Sequence, residues 1–143
     1  MSDTSSPTCS ILIVEDDASI RRLVRTVLLR QGYQVEIAAD GLEAIGKLAV
    51  ADYDVIVLDL MMPNLDGFSF MTAMARDTPE RLKRVIITSA ASPAMINQRL
   101  KGIPFDLLPK PFDIHELLSR VQACAERNGF VDSTASRQDI RNN

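Results

Sequence analysis

The stretch Asp54-Val55-Ile56-Val57-Leu58-Asp59 decides how this chain folds. Four consecutive apolar residues, three of them β-branched, are bracketed by two acids. A short continuous run of this kind suits a strand covered on both faces, as in a parallel sheet. Two other runs read the same way, Ile11-Leu12-Ile13-Val14 and Val85-Ile86-Ile87. Gln34-Val35-Glu36-Ile37 is a weaker strand pattern, and Phe105 to Leu108 is the least marked of the five.

Amphipathic segments separate these runs. Ile20, Leu23, Val24, Val27 and Leu28 recur at helical spacing, as do Leu42, Ile45 and Leu48, and Ile114, Leu117, Leu118 and Val121. Phe68–Ala75 and Ala94–Leu100 complete the set with weaker patterns. Gly32 stands where a helix stops, and Asp113 where the last helix opens. A β-α unit repeated five times predicts an α/β fold, a parallel five-stranded sheet with five helices on its two faces. The functional crevice of such a fold lies beyond the carboxyl ends of the strands.

Composition agrees. The chain has 143 residues, the size of one domain, with 46% apolar and 24% charged residues, which excludes a fully disordered chain. Residues 10–128 are expected to fold, with polar tails at 1–9 and 129–143. No apolar run reaches the roughly 18 residues of a membrane span, and Met1–Ser10 has no secretory pattern, so a cytoplasmic location is expected. A net charge of -3 argues against direct nucleic-acid binding. Cys9 and Cys124 are too few for a disulfide framework and match no zinc spacing.

The predicted strand ends carry the chemistry. The first run leads into Glu15-Asp16-Asp17, the third ends in Asp59, the fourth in Thr88-Ser89, and the fifth precedes Lys110-Pro111. Adjacent strands lie only ~4.8 Å apart, so adjacency of the first and third crowds at least three carboxylates together. Such charges take up protons unless a cation joins them. Oxygen ligands without Cys or His select a hard ion, and Mg²⁺ fits a shallow site that keeps several waters. Asp59 is ionised at neutral pH and needs no general base to act as a nucleophile toward a phosphoryl group. The metal and Lys110 would offset charge on the transferring oxygens, and the Ser89 hydroxyl can donate to one of them.

These residues resemble the receiver domain of two-component response regulators, a chemotaxis-regulator-like family. The resemblance covers roughly residues 10–128 and rests on Ile11–Asp17, on Asp54–Pro63 with Asp66-Gly67, on Ser89 lying 30 residues past Asp59, and on Lys110-Pro111-Phe112, all in order. It implies a doubly wound, flavodoxin-like sheet of order 2-1-3-4-5, an arrangement generally known for such proteins. It implies that Asp59 is the phosphoacceptor and that Glu15, Asp16, Asp59 and the Met61 backbone carbonyl hold Mg²⁺. Ser89 and Lys110 would stabilise the phosphoryl group, with a cis peptide before Pro111. The implied partners are a sensor histidine kinase or a histidine phosphotransfer protein, and a downstream target that meets the face formed by the fourth and fifth helices with the fifth strand. The implied activity is a signalling switch that catalyses only its own phosphoryl transfer and dephosphorylation.

The sequence departs from that pattern in one region. Leu107 occupies the switch position where the family often has an aromatic residue. The Ser89–Lys110 interval is about one residue short, and Gly102-Ile103-Pro104-Phe105 replaces small and acidic residues, so a shortened fourth helix is expected.

Other features read as ordinary structure. Asp17 suits an N-cap better than a metal site. Thr88 is expected on the core side of its strand, and His115 on the surface. Arg21-Arg22 and Arg81, Lys83 and Arg84 read as solvated faces. Gly41-Leu42-Glu43-Ala44-Ile45-Gly46-Lys47 mimics a P-loop, but Leu48 replaces the required Ser or Thr and the interior is helix-forming. Two alternatives to phosphorylation switching stand. One is a receiver-like module that binds without phosphorylation. The other is a metal-dependent phosphatase of the haloacid dehalogenase kind, whose general acid would fall at Met61.

Overall fold

The computed structural model describes residues 8–62, 64 and 66–129; residues 1–7 and 130–143, where most of the two expected tails fall, lie outside. Strands β1 (Ser10–Val14), β2 (Gln34–Ala38), β3 (Val55–Asp59), β4 (Val85–Ser89) and β5 (Asp106–Pro109) alternate with helices α1 (Ala18–Arg30), α2 (Gly41–Val50), α3 (Gly67–Asp77), α4 (Pro93–Arg99) and α5 (Ile114–Arg127). The strands form one parallel sheet in the order β2-β1-β3-β4-β5. A 3₁₀ segment, Pro79–Arg84, adds a sixth helical piece to the five expected.

The continuous apolar runs occupy the interior of the sheet. Every residue of β3 and β4 is buried, as are the last four of β1. The weaker runs form the two edges, where β2 and β5 are only partly covered. Strand side chains alternate between two cores. Leu12, Val14, Ile56, Leu58 and Ile87 pack with α2, α3 and α4, whereas Ile11, Ile13, Val57, Ile86 and Leu108 pack with α1 and α5.

Two helices present faces that differ from the expected stripes. In α1 the inward residues are Val24 and Leu28, with Ile20 partly covered, and Leu23 is exposed. In α2 the buried positions are Gly41 and Ala44, and Leu42 and Ile45 face outward. The buried face of α2 is made of small residues, and the larger Leu42 and Ile45 lie outside it. The basic residues also have partners. Arg81 pairs with Asp52 at 3.0 Å, and Arg84 donates to the Tyr53 carbonyl at 3.2 Å.

Helix starts follow one rule. Asp17, Asp40, Asp66 and Asp113 cap α1, α2, α3 and α5 through their side chains, and Ser92 caps α4. Gly32 closes α1 with φ +93°, a conformation that favours glycine. At the amino end of the sheet, the Asp54 carboxylate accepts from both the backbone N–H (2.8 Å) and the hydroxyl (3.1 Å) of Ser10, tying β1 to the entry of β3.

Gly67 packs against Leu60 with no room for a side chain. A Cβ there would lie 2.6 Å from Leu60 Cα and 2.8 Å from its carbonyl oxygen. Gly67→Ala must therefore displace backbone, and urea unfolding is expected to show a loss of roughly 1–3 kcal/mol. Burial also pushes the Cys9 thiol up to about 12, aided by the nearby Asp54 charge. The folded state holds that proton after the unfolded chain, titrating near 9.0, has released it. Stability held below that pH is lost as pH rises, so a Cys9→Ala variant should lose roughly 1 kcal/mol less than the parent between pH 9 and 10 in paired urea titrations.

Candidate functional site

Register builds the site. Val14 of β1 is level with Leu58 of β3, so the next residues, Glu15 and Asp59, leave the sheet side by side. Asp59 is level with Thr88 of β4, and Ser89 with Pro109 of β5, which delivers Lys110 to the same edge. A backbone hydrogen bond of 2.8 Å from the Lys110 N–H to the Ser89 carbonyl locks these two exits together. The Lys110–Pro111 peptide is cis.

The Lys110 ammonium donates to Glu15 Oε1 at 2.8 Å and to Asp59 Oδ2 at 3.2 Å. Both carboxylates are buried, at 3% and 4% exposure, while Asp16 beside them is open to solvent. One oxygen from each of Glu15, Asp16 and Asp59 lies within 4.8 Å of the others. One ammonium cannot neutralise three carboxylates, and the donors are all oxygen. That set fits a hard divalent ion of the Mg²⁺ type.

The electrostatics reflect this crowding. Burial pushes the Glu15 carboxyl above its usual range and the Asp59 charge adds to the rise, against the hydrogen bond and charge of Lys110. For Lys110, burial opposes the charge, but the hydrogen bond to Glu15 and the two carboxylates outweigh it and hold the ammonium above its ordinary value.

Asp59 Oδ1 accepts from the Met61 N–H at 3.0 Å, so the Met61 backbone sits at the carboxylate while its side chain is exposed. Ser89 is buried, and its hydroxyl oxygen accepts from the Ala91 N–H at 3.0 Å. Thr88 is buried at the register position of Asp59. Leu107 stands away from the cluster. Its side chain packs against the core on the α4 side and its carbonyl accepts from Arg120 at 2.8 Å.

Asp17 is an N-cap, accepting from Ser19 and Ile20 at 2.9 and 3.0 Å. Gly41–Lys47 lies within α2, and His115 is exposed. Sequence reasoning missed Arg21, whose guanidinium donates to the Glu15 carbonyl at 2.8 Å and braces the acidic turn. Its position one helical turn after the Asp17 cap was the available signal. The Asn64 amide, which donates to Asp40 at 2.9 Å, had no such signal.

Residues 11–122 match the family described as response regulator receiver domain. The chain belongs to that family. This receiver domain is 38% identical over 129 residues to the response regulator MprA of Mycobacterium tuberculosis, covering 88% of this chain and 54% of that protein. The chain thus spans about half the length of the curated relatives it matches. Among solved structures, the receiver domain of Francisella response regulator 1452 aligns at 35% identity with a TM-score of 0.74, covering 84% of this chain and 98% of that one. TrrA of Thermotoga maritima, a response regulator solved in complex with Mg(2+)-BeF, aligns at 25% identity with a TM-score of 0.70, covering 82% of this chain and 99% of that one. The receiver domain is a component of two-component signalling, a switch and not a conventional enzyme. Among the described residues no helix is long and apolar enough to cross a membrane.

Removing the central cation is the direct test of this charge balance. Lys110→Met leaves Glu15 and Asp59 buried and uncompensated, and should cost roughly 3–5 kcal/mol at pH 8 by urea unfolding. The Glu15 pKa is already raised, so a protonated carboxyl relieves the conflict as pH falls, and the variant's deficit should shrink at pH 5.

Proposed function

We propose that this receiver domain takes a phosphoryl group from a partner's phosphohistidine onto Asp59 and uses the modification to change a protein-binding surface. The observation that carries this reading is the Lys110 ammonium bridging Glu15 and Asp59 beside Asp16. Glu15, Asp16, Asp59 and the Met61 carbonyl would hold Mg²⁺. The Mg(2+)-BeF complex of TrrA supports that choice of ion. Mg²⁺, when bound, supplies positive charge against the phosphoryl oxygens.

The chain's own groups do the rest. An Asp59 carboxylate oxygen attacks phosphorus. The O–P bond forms as the donor's P–N bond breaks, and that electron pair returns to the imidazole. Lys110, already within 3.2 Å of Asp59, faces the incoming oxygens with a full positive charge. The Ser89 hydroxyl has a proton to donate, since its described bond uses it only as an acceptor. Water attack on phosphorus later releases phosphate and restores Asp59. A sensor histidine kinase or a histidine phosphotransfer protein is the proposed donor. A protein target at the α4-β5-α5 face, in the cytoplasm, is the proposed reader, with no direct nucleic-acid contact from this domain. A phosphatase of the haloacid dehalogenase kind would need a proton-transferring side chain at position 61, where Met61 offers a thioether.

Incubation with a small acyl phosphate and Mg²⁺ tests the proposal. Intact mass should rise by one phosphoryl group, peptide mapping should place it on Asp59, and Asp59→Asn or removal of Mg²⁺ should abolish it. Modification of another residue at the same rate overturns the assignment.

A further inference from the structure

Arg99, the last residue of α4, lies outside the acidic cluster yet touches the element that follows Asp59. Its guanidinium stacks over the Phe68 ring at 3.9 Å from the centroid and donates to Asp66 Oδ2 at 3.2 Å. Asp66 is the N-cap of α3, and its other oxygen accepts from the Phe68 N–H at 3.0 Å. One arginine therefore grips both the cap and the first turn of α3.

That first turn cannot move independently of the phosphoacceptor strand. The Gly67 N–H donates to the Leu60 carbonyl at 3.1 Å, and Gly67 lies so close to Leu60 that no Cβ fits between them. Leu60 follows Asp59 directly, and the Met61 N–H is bound to Asp59 Oδ1. Asp59 uses one oxygen for Met61 and the other for Lys110. A phosphoryl group on Oδ2 displaces the Lys110 bond, and one on Oδ1 displaces the Met61 bond, in which case Leu60–Met61 readjusts and carries Gly67 with it.

The receiving helix is weakly held. α4 has only seven residues, of which Ile96 alone is buried, with Leu100 buried just beyond it. Its other approach begins at Ser89, whose hydroxyl oxygen accepts from Ala91. The two ends of α4 are thus connected to the site by separate routes, through Ser89 and through Arg99.

We infer that Arg99 is a latch, a positioning residue that holds α4 against the start of α3 and transmits the state of Asp59 to α4 by engaging or releasing Asp66 and Phe68. This rests on phosphorylation of Asp59 as proposed above and adds the contact by which the change reaches the helix. A cation over an aromatic ring combined with a half-exposed ion pair is a contact of modest strength, suited to a switch that must open.

Hydrogen–deuterium exchange of residues 93–100, with intact mass recorded on the same samples, tests the latch. In the parent protein, treatment with a small acyl phosphate and Mg²⁺ should raise exchange there about fivefold. Arg99→Met keeps a stem of similar length but loses both contacts, and should show that raised exchange before any phosphoryl group is added, with little further increase afterwards. Arg99→Lys, which can still pair with Asp66, should recover part of the phosphorylation-dependent step. Equal phosphoryl adducts with the same exchange step in parent and Arg99→Met would overturn the latch alone. No adduct on the parent would overturn the phosphorylation reading and the latch with it.

Discussion

The structure is organised around an electrostatic conflict. Parallel pairing of β1 with β3 forces Glu15 and Asp59 to leave the sheet as neighbours, and burial denies them the water that would screen their repulsion. A single ammonium from β5, two strands away from β3, lies between them. Four of the five strands, β1, β3, β4 and β5, are needed to bring these three groups together. The site is therefore a property of strand order and register, and a register slip of one residue in β3 would turn Asp59 to the opposite face. Arg21 belongs to the same arrangement, bracing the turn from which Glu15 and Asp16 project.

Much of this was legible beforehand. Continuous β-branched runs mark strands that have no wet face, and β1, β3 and β4 proved to be the interior strands. The cluster of Glu15, Asp16 and Asp59 with Lys110 followed from where those runs end. Asp17 and Asp113 were readable as caps because a carboxylate at that place satisfies free amides of the first turn.

What was not legible depends on packing distance and long-range pairing. The apolar stripe of α2 suggests Leu42 and Ile45 as core, but the helix turns Gly41 and Ala44 inward and leaves the two larger residues exposed. Periodicity reports that a helix has an apolar side; it does not report how near that side approaches its neighbour. Likewise Arg81 and Arg84 look like solvent residues until the fold brings Asp52 and Tyr53 to them. The grip of Arg99 on Asp66, 33 positions away, and on Phe68 has no local signature. The setting of Leu107 is likewise invisible in the sequence. It is partly buried against the core, and its carbonyl is clasped by Arg120.

The pairing of Asp54 with Ser10 throws light on the opposite end of the same strand. β3 is flanked by two chemically identical side chains about 17 Å apart along an extended backbone. At its entry, both donors come from one residue of β1 and meet the same Asp54 oxygen, so that acid acts as a joint between strands. At its exit, Asp59 accepts on both oxygens, from an amide on one and from the ammonium it shares with Glu15 on the other. The same functional group is thus a joint where it meets the neutral donors of a single residue, and part of a charge cluster where a second carboxylate competes for its one ammonium.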